Sequence, residues 1–333
     1  MSSLAIIGAG SWGTALALLL AKKGIKIKLW VHSKETYQVL IDKKENIFYL
    51  PGIKIPSSIF PTQSLAEAIS GQKDILIAVP SHVYREILSK IRPYLISNCH
   101  IISATKGIET DSLLTMSKVT KEILSDLSYS YSVLSGPSFA KEVSQGLPTA
   151  VTVASVNEEV AIYTQRLFST NYFRVYTHHD VLGVELGGAL KNIVAIAAGI
   201  SEGLGLGYNA RAALITRGLA EITRLGIKLG AEEKTFAGLS GMGDLVLTCT
   251  SKLSRNYNLG RRLGTGEKLT EILSSMRMVA EGVNTTKAAY ILSQEIGVEM
   301  PITKEVYAIL YEEKSPKEGL KELLSRRLKQ EFY

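Results

Sequence analysis

Three glycines near the start of the chain have the spacing of a loop that binds phosphate through its backbone. They are Gly8, Gly10 and Gly13, in the run Gly-Ala-Gly-Ser-Trp-Gly. Residues 4–7 read as a strand and residues 12–23 as a helix, so the glycines lie in the turn between them, which is the context that gives this motif its meaning. Gly8 permits the tight turn, Gly10 lets the backbone approach a pyrophosphate, and Gly13 lets helix and strand pack closely. Free N–H groups at the helix start hold an anion, so we predict a dinucleotide cofactor here; an ordinary glycine turn is the alternative.

The residues after the second predicted strand, residues 25–31, bear on which dinucleotide binds. Proteins that bind the cofactor without a 2′-phosphate usually have a carboxylate about 20 residues after the glycine loop. This chain has His32, Ser33 and Lys34 there, and its first acid is Glu35. Because no carboxylate would repel a 2′-phosphate at these positions, the pattern favours NADPH. NADH stays open, as does the alternative that these side chains are merely solvated, since strand ends are uncertain from sequence.

Two lysines have surroundings that suit proton transfer to a carbonyl oxygen. Lys191 lies among small and apolar residues, in Gly-Ala-Leu-Lys-Asn-Ile-Val. A lysine can carry a proton and shifts its pKa when it is buried, although an exposed lysine with its stem on the surface is the alternative. Lys106 follows the predicted strand at residues 100–103, and ligands of doubly wound folds bind at the carboxyl edge of the sheet. A second cation close to Lys191 would lower its proton affinity.

The order of the predicted elements divides the chain into two domains. In the first half, short apolar strands alternate with helical segments, which is typical of a parallel sheet covered on both faces; right-handed connections then give a doubly wound Rossmann fold. The predicted strands are residues 4–7, 25–31, 74–79, 100–103, 132–134 and 149–154. After about Thr177 strands become scarce, and long helical segments follow at 182–200 and 210–229. We therefore predict an α/β Rossmann domain at 1–178 and an all-α domain at 179–333, with a ligand cleft between them.

Composition is that of a globular protein. The chain has 333 residues, of which 46% are hydrophobic and 21% charged, enough for two domain cores. Its net charge of +7 suits an anionic ligand, but no basic run of five or more residues occurs, so we expect no nucleic-acid partner. No uninterrupted apolar run reaches the roughly 18 residues of a membrane span, and the pattern indicates neither a signal peptide nor any other targeting segment. We expect a cytoplasmic protein, in which Cys99 and Cys249 are inert buried thiols.

Two other conspicuous patterns are predicted to be structural. The Gly-Leu-Gly-Leu-Gly run at 203–207 resembles a second phosphate loop, but no strand precedes it, so we predict a turn between helices. His178, His179 and Asp180 could suggest a metal site. No further histidine or cysteine lies at ligand spacing, and adjacent residues of a helix point to different faces. Helix capping is the preferred interpretation, with no metal.

Five further segments form a pattern that no single one of them would define. They are Ala-Thr-Lys-Gly at 104–107, Leu-Ser-Gly-Pro-Ser-Phe-Ala at 134–140, Gly-Ala-Leu-Lys-Asn at 188–192, Gly-Met-Gly-Asp-Leu at 241–245 with Ser-Arg-Asn at 254–256, and Val-Ala-Glu-Gly at 279–282. In this order and spacing, the chain resembles the NAD(P)-dependent glycerol-3-phosphate dehydrogenases of bacterial type. The likeness runs from Gly8 to about Pro301.

The resemblance implies an activity as well as a fold. It implies a Rossmann domain followed by a helical domain, and reversible reduction of dihydroxyacetone phosphate to sn-glycerol 3-phosphate with NADPH or NADH. It also implies a cytoplasmic homodimer that supplies glycerophospholipid synthesis.

The resemblance also assigns catalytic roles to four residues. Lys191 is the acid in reduction and the base in oxidation, and Lys106 contacts both cofactor and substrate. Asp244 orients Lys191 and binds a substrate hydroxyl, and Thr248 adds a hydrogen bond. A plain N-cap before Leu245 is the alternative for Asp244, since aspartate is a favoured cap.

Arg255 is the candidate for binding both the substrate phosphate and the cofactor, because its planar fork suits bidentate contact with phosphate. The other substrate residues implied by the resemblance are Gly136, Ser138, Asn192, Ser254 and Asn256, beside Lys106, Lys191 and Asp244. The other cofactor residues are Ser11, Trp12, Ala140, Val279 and Glu281, beside the three glycines, His32, Ser33 and Lys106.

Two rival functions remain open from the residues. One is another oxidoreductase with a Rossmann domain and a helical domain, acting on a hydroxyacid or a phosphogluconate. The other is a redox sensor that binds the cofactor without turnover. Asp244 and the 254–256 segment favour the phosphorylated three-carbon ketone, and a sensor would not need Lys191, Asp244 and Arg255 together.

Overall fold

Apolar runs in the first half of the chain form a sheet of eight strands. The computed structural model describes residues 3–276, 280–328 and 330–331. The strands are β1 (Ser3–Ile7), β2 (Lys26–Trp30), β3 (Glu45–Asn46), β4 (Leu50–Lys54), β5 (Ile59–Thr62), β6 (Asp74–Ile77), β7 (Cys99–Ser103), β8 (Tyr129–Ser135), β9 (Thr149–Ala154) and β10 (Phe173–His178). β3 and β4 form a separate hairpin, and the others lie in the order β10-β9-β8-β7-β6-β1-β2-β5.

Helices cover both faces of this sheet. They are α1 (Ser11–Lys22), α2 (Lys34–Lys43), α3 (Leu65–Ile69), α4 (Ser81–Ile91), α5 (Met116–Ile123), α6 (Ala140–Gln145) and α7 (Glu158–Phe168). Successive side chains of a strand point to opposite faces, and β1 shows this directly. Leu4 and Ile6 belong to the apolar core on one side, and Ala5 and Ile7 to the core on the other. The predicted Rossmann architecture is confirmed.

The sheet is not parallel throughout, in contrast to the prediction. β8 and β9 are antiparallel, with Val133 opposite Ala154, while the other neighbouring strands run parallel. The reason is the length of the element between them. α6 has six residues and spans about 9 Å, whereas the seven residues of β8 span about 23 Å. Such a short helix cannot carry the chain back to the start of the sheet, so β9 runs back from the edge where β8 ends.

The second half of the described chain is helical, as predicted, and one helix lies at its centre. The helices are α8 (Val181–Gly203), α9 (Gly207–Lys228), α10 (Glu233–Phe236), α11 (Asp244–Thr250), α12 (Arg255–Gly264), α13 (Leu269–Ser275), α14 (Glu281–Glu295), α15 (Pro301–Tyr311) and α16 (Pro316–Ser325). Every residue of α8 from Gly183 to Ser201 is buried, because other helices and strand β8 surround it. α8 is long and apolar enough to cross a membrane by length and composition alone, but almost all of its most apolar stretch is buried inside the protein.

Both patterns that we interpreted as structural have that role. Gly205, in the turn between α8 and α9, has a positive φ value of 72°, and Gly207, the first residue of α9, has one of 79°. Asp180 is the N-cap of α8, where its Oδ1 accepts the N–H of Gly183 at 2.8 Å. The ring Nδ1 of His178 accepts the N–H of Asp180 at 2.9 Å.

Candidate active site

Lys191 lies in the middle of α8 and is only 7% exposed. Its Nζ donates hydrogen bonds to Oδ1 of Asp244 at 2.6 Å and to Oγ1 of Thr248 at 2.8 Å. Burial lowers the pKa of Lys191, the carboxylate of Asp244 opposes this effect, and the charge of Lys106 adds to it; the resulting pKa is about 8. The exposed-surface interpretation of Lys191 is therefore wrong. An amine with this pKa can give or accept a proton near neutral pH.

Asp244 is the carboxylate that joins two lysines. It is 1% exposed, and its Oδ2 accepts a hydrogen bond from Nζ of Lys106 at 2.6 Å. Lys106 also donates to the carbonyl of Gly136 at 3.0 Å. Lys106 follows β7 of the sheet, as predicted, whereas Lys191 and Asp244 belong to the helical part. The three charged groups therefore meet at the seam between the two parts of the chain.

Each ammonium group keeps one hydrogen that no described residue accepts. An ammonium group has three N–H donors, and Lys191 gives two of them to Asp244 and Thr248. Lys106 gives two to Asp244 and Gly136. The remaining two hydrogens suit an oxygen on which negative charge develops.

Asp244 is not the N-cap of its helix. The cap of α11 is Gly243, and Asp244 is the first residue of the helix. One turn later, Oγ1 of Thr248 donates to the carbonyl oxygen of Asp244 at 2.6 Å. This bond fixes the hydroxyl so that its oxygen can accept a hydrogen bond from Lys191. The capping alternative for Asp244 is therefore wrong.

Helix α12 packs against α8, the helix that carries Lys191, and begins with polar residues. Ser254 is buried and is the N-cap, where its Oγ accepts the N–H of Tyr257 at 3.2 Å. Arg255 follows it and reaches solvent, but desolvation by the surrounding protein lowers its pKa while the charge of Glu281 opposes this. The first N–H groups of a helix and a guanidinium together form a site for an anion.

Asn256 is buried, and the oxygen of its side chain already has a hydrogen-bond partner within the protein. Its Oδ1 accepts the N–H of Gly282 at 3.0 Å, so it connects the start of α14 with the start of α12. Its amide N–H₂ group is the part that suits contact with a ligand. Asn192 is buried directly after Lys191 in α8.

The loop after β8 lies beside Lys106, which donates to the carbonyl of Gly136. Gly136 has φ +140°, and a Cβ atom there would lie 2.9 Å from Cα of Val151, so the position requires glycine. Oγ of Ser138 donates to the carbonyl of Gly136 at 2.9 Å, the same oxygen that accepts from Lys106. Ala140 begins α6 and packs on the core of the sheet.

The glycine loop has the form expected for a dinucleotide. Gly8 has φ +116°, and a Cβ atom on Gly13 would lie 1.9 Å from the carbonyl oxygen of Gly8. A Cβ atom on Gly10, by contrast, would meet no atom within 4 Å, so open space lies above the backbone there. Nε1 of Trp12 is buried and has no hydrogen-bond partner within the described chain. Oγ of Ser11 donates to the carbonyl of Tyr49 at 2.6 Å. An open backbone cradle beside an unsatisfied donor fits a bound pyrophosphate.

The end of β2 leads to the start of α2. His32 is exposed, and Ser33 is the N-cap of α2, where its Oγ accepts the N–H of Thr36 at 3.3 Å. Glu35 lies in the first turn of the same helix and is exposed. A helix N-terminus beside an exposed imidazole suits a 2′-phosphate.

Glu281 is brought to the carboxyl edge of the sheet. It is the first residue of α14, and its Oε2 accepts a hydrogen bond from Oγ of Ser81 at 2.7 Å. Ser81 begins α4, shortly after β6. Burial raises the pKa of Glu281, and the hydrogen bond from Ser81 opposes this. Val279, the other predicted cofactor residue of this segment, lies outside the described residues.

A second polar cluster resembles a serine-histidine-aspartate arrangement but lies inside the sheet. Nδ1 of His100 is 3.0 Å from Oδ1 of Asp74, and its Nε2 is 2.8 Å from Oγ of Ser132. His100 and Ser132 are 3% and 0% exposed, so no substrate can reach the hydroxyl. The cluster holds neighbouring strands together. Within residues 3–276, 280–328 and 330–331, no group of three metal-binding side chains occurs.

Comparison with protein families decides between the remaining interpretations. The N-terminal model of NAD-dependent glycerol-3-phosphate dehydrogenase matches residues 3–161, and the C-terminal model of the same family matches residues 180–321. This chain belongs to that family.

Relatives within the family match nearly the whole length of the chain. The glycerol-3-phosphate dehydrogenase (NAD(P)+) of Citrifermentans bemidjiense is 54% identical over 329 residues, 98% of each chain. That of Geobacter sulfurreducens is 53% identical over 329 residues, again 98% of each chain. The crystal structure of glycerol-3-phosphate dehydrogenase from Coxiella burnetii superposes with a TM-score of 0.95 at 41% identity, covering 98% of this chain and 99% of that one.

Family membership did not identify every residue that supports the site. Asn46 of β3 donates from Nδ2 to the carbonyl of Ala9 at 2.8 Å and to Oγ1 of Thr14 at 2.9 Å, so it holds the glycine loop from outside. No local pattern indicates this contact, because 37 residues separate Asn46 from Ala9. Ser81, by contrast, could have been predicted as a site residue from the sequence, since it closely follows a strand whose carboxyl end lies at the ligand-binding edge of the sheet. Cys99 and Cys249 are free and buried, as predicted.

The contrast between Gly10 and Gly13 gives a test of the dinucleotide cradle. Gly10 has φ −70° and free space, so Gly10→Ala should fold normally but place a methyl group where the pyrophosphate binds. We expect its melting temperature to match the parent while its affinity for NADH and NADPH, measured by fluorescence titration, falls at least about tenfold, as for the loss of hydrogen bonds to a charged group. Gly13→Ala, which collides with Gly8, should instead lower the melting temperature. Parent-like cofactor binding by Gly10→Ala would place the cofactor elsewhere.

Proposed function

We propose that this protein catalyses the reversible reduction of dihydroxyacetone phosphate to sn-glycerol 3-phosphate with NADPH or NADH. The observation that carries the proposal is the buried carboxylate of Asp244 bound by two lysines, each with one hydrogen left to donate. Membership of the family and the names of its relatives, glycerol-3-phosphate dehydrogenase (NAD(P)+), support the substrate and the cofactor.

The residues act on the carbonyl oxygen of the substrate. A bound dihydronicotinamide supplies the hydride to the adjacent carbon. As negative charge grows on the oxygen, Lys191 gives it a proton and Lys106 stabilises the charge through its remaining N–H. In the reverse direction, neutral Lys191 removes the proton from the hydroxyl of glycerol 3-phosphate.

Asp244 keeps both lysines in place through this cycle. Its two carboxylate oxygens bind one ammonium group each, and Thr248 fixes a second hydrogen of Lys191. With two of its three hydrogens held, Lys191 can direct only the third towards a ligand. Asp244 also raises the pKa of Lys191 against the effect of burial, so the amine is mostly protonated at pH 7.

The substrate phosphate binds at the start of α12 in this proposal. Arg255 provides the charge, and Ser254, Asn256 and the first N–H groups of the helix add neutral donors. Gly136, Ser138 and Asn192 line the side nearer to the lysines. Charge-assisted contacts remote from the reacting carbon hold the ketone in position for reaction.

The cofactor binds over the glycine loop in this proposal. Gly8, Gly10, Gly13, Ser11 and Trp12 hold the pyrophosphate. Further cofactor contacts are proposed for His32, Ser33, Lys106, Ala140, Arg255, Val279 and Glu281. The start of α2 and the exposed His32 favour NADPH, although Glu35 in the same turn leaves room for NADH.

The domain limits and the assembly are also proposals. We place the Rossmann domain at 1–178 and the helical domain at 179–333, supported by the end of β10 at His178 and the start of α8 at Val181.

We propose a cytoplasmic homodimer that supplies glycerophospholipid synthesis. An exposed apolar strip on α9, with Tyr208, Ala212 and Ala213, supports a contact with a second copy; light scattering of the purified protein would measure its mass.

The decisive assay is oxidation of NADH and of NADPH in the presence of dihydroxyacetone phosphate. We expect turnover with both cofactors and a higher kcat/KM with NADPH. Lys191→Ala should lower kcat by about 10²–10⁴-fold, the usual contribution of a positioned acid, with cofactor binding retained. Tight binding without turnover of any ketone would instead indicate a sensor.

The pKa of Lys191 predicts opposite pH profiles for the two directions. Reduction needs the ammonium form, so its kcat should fall as the pH rises through about 8, and oxidation should rise over the same range. Lys106→Met removes a charge that lowers the pKa of Lys191, so the midpoint should move to higher pH while kcat falls. An unchanged midpoint in Lys106→Met would exclude electrostatic coupling between the lysines.

With the cofactor at saturation, which removes the effect of the proposed Arg255–cofactor contact on binding, loss of the Arg255 guanidinium should act through the substrate phosphate. We expect Arg255→Leu to lower kcat/KM for dihydroxyacetone phosphate by about 10–100-fold, equivalent to about 1.5–3 kcal/mol for hydrogen bonds to a charged group. For dihydroxyacetone, which lacks the phosphate, kcat/KM should be nearly the same in the variant and the parent. Arg261→Leu, six residues along the same helix and also exposed, is the matched control and should behave as the parent.

A further inference from the structure

A second buried carboxylate lies on the catalytic helix and takes no part in the proton transfer described above. Glu185 of α8 is 5% exposed. Its Oε1 accepts the N–H of Ser117 at 2.8 Å and the O–H of Tyr131 at 2.6 Å, and its Oε2 accepts the O–H of Ser117 at 2.6 Å. Among the described residues, no lysine or arginine forms an ion pair with it.

All of these donors belong to the Rossmann part of the chain. Ser117 lies in the first turn of α5, where backbone N–H groups have no partner inside the helix and favour a negative charge. Tyr131 lies on β8, the strand that leads to the active-site loop at Gly136. Glu185 therefore fastens the catalytic helix to two elements of the sheet domain.

The same side of α8 continues the contact towards the active site. Gly188 follows Glu185 by three residues, so the two lie on neighbouring positions of one face. A Cβ atom on Gly188 would lie 2.5 Å from Oγ of Ser135 and 3.6 Å from the side chain of Lys106. The helix surface is thus in close contact with the sheet edge from Glu185 to the turn that carries Lys191.

We infer that Glu185 is a positioning residue for the proposed reaction: it sets the placement of α8, and hence of Lys191, against the carboxyl edge of the sheet. The inference rests on the proposed function. The cofactor binds to one part of the chain and the proton donor belongs to the other, so their separation depends on this docking. A displacement of about 1 Å of a reacting group can cost about 10²-fold in rate. Loss of the Glu185 contacts therefore affects the chemical step more than the binding of either ligand.

The chain contains a control for Glu185: a second glutamate that is equally buried and bonded to neutral donors at the start of a helix, but in a different location. Glu221 of α9 is 3% exposed and accepts the N–H groups of Ile302 and Thr303 at 2.6 and 3.2 Å, at the start of α15. Burial raises the pKa of both carboxyl groups. Because α9 and α15 both belong to the helical part of the chain, Glu221 contributes to folding but does not connect that part to the sheet.

The experiment compares Glu185→Ala with Glu221→Ala in the full-length protein, with dihydroxyacetone phosphate and the preferred cofactor. For Glu185→Ala we expect kcat to fall by about tenfold or more, with both KM values within about twofold of the parent. The primary isotope effect on kcat with cofactor deuterated at the transferred position should increase, because hydride transfer becomes slower relative to product release. Both variants should lower the melting temperature by a similar amount. Glu221→Ala, however, should leave kcat and the isotope effect unchanged.

Milder variants keep the test valid if Glu185→Ala does not fold. Ser117→Ala and Tyr131→Phe each remove one donor and should each show a smaller change of the same kind. Combining Tyr131→Phe with Glu185→Ala should cost no more than Glu185→Ala alone. Glu185→Gln should retain most activity, because Oε1 can keep both of its donors and the Ser117 hydroxyl can rotate to accept from the new amide.

The outcomes separate this inference from the proposed function. A parent enzyme that does not reduce the ketone refutes the function. An active parent with Glu185→Ala, or both milder variants, at parental kcat refutes the positioning role. A rise in KM without a change in kcat or isotope effect also refutes it, as does an equal loss of kcat in Glu221→Ala.

Discussion

The whole arrangement depends on one buried carboxylate that has to satisfy two positive charges. Asp244 is shielded from water, and a buried charge is tolerated only when it is paired and hydrogen-bonded. Its partners, Lys106 and Lys191, come from opposite sides of the seam between the sheet and the helices. The pairing therefore requires that the two parts of the chain stay in contact. The same pairing leaves an excess of positive charge, which suits an anionic substrate.

The helix that carries Lys191 shows how the fold meets this requirement. A helix that is apolar on all sides has to be enclosed, and α8 is surrounded by helices and by strand β8. Close approach is possible because each helix places glycines against the backbone of the other: a Cβ atom on Gly199 would lie 2.0 Å from the carbonyl oxygen of Tyr257 in α12, and one on Gly260 of α12 would lie 2.0 Å from that of Ile196. A rigidly enclosed helix places one amine with little freedom, at the cost of burying it.

Much of the fold and the glycine loop could be predicted from local patterns, but the polar centre around Asp244 could not. Apolar runs such as residues 74–79 and 100–103 identified central strands, because both faces of those strands are covered. Strands β5 and β10 were missed, since Pro61 disfavours a strand and Arg174 and Tyr176 interrupt the apolar pattern at the sheet edge. Lys191 and Asp244 are 53 residues apart, and only resemblance to a family connected them. No sequence pattern could predict the contacts of Glu185 and Asn46, because their partners are distant in sequence and belong to common residue types.

The β3–β4 hairpin has a consequence for the kinetics of cofactor binding. Asn46 holds Ala9 and Thr14, and the carbonyl of Tyr49 accepts from Ser11, so the hairpin holds the glycine loop in shape by contacts within the protein alone. A loop that is already ordered loses little conformational entropy when a ligand arrives. Association then needs no slow rearrangement of this loop, so the rate of encounter governs how fast a fresh cofactor enters, and the strength of its contacts governs how long it stays.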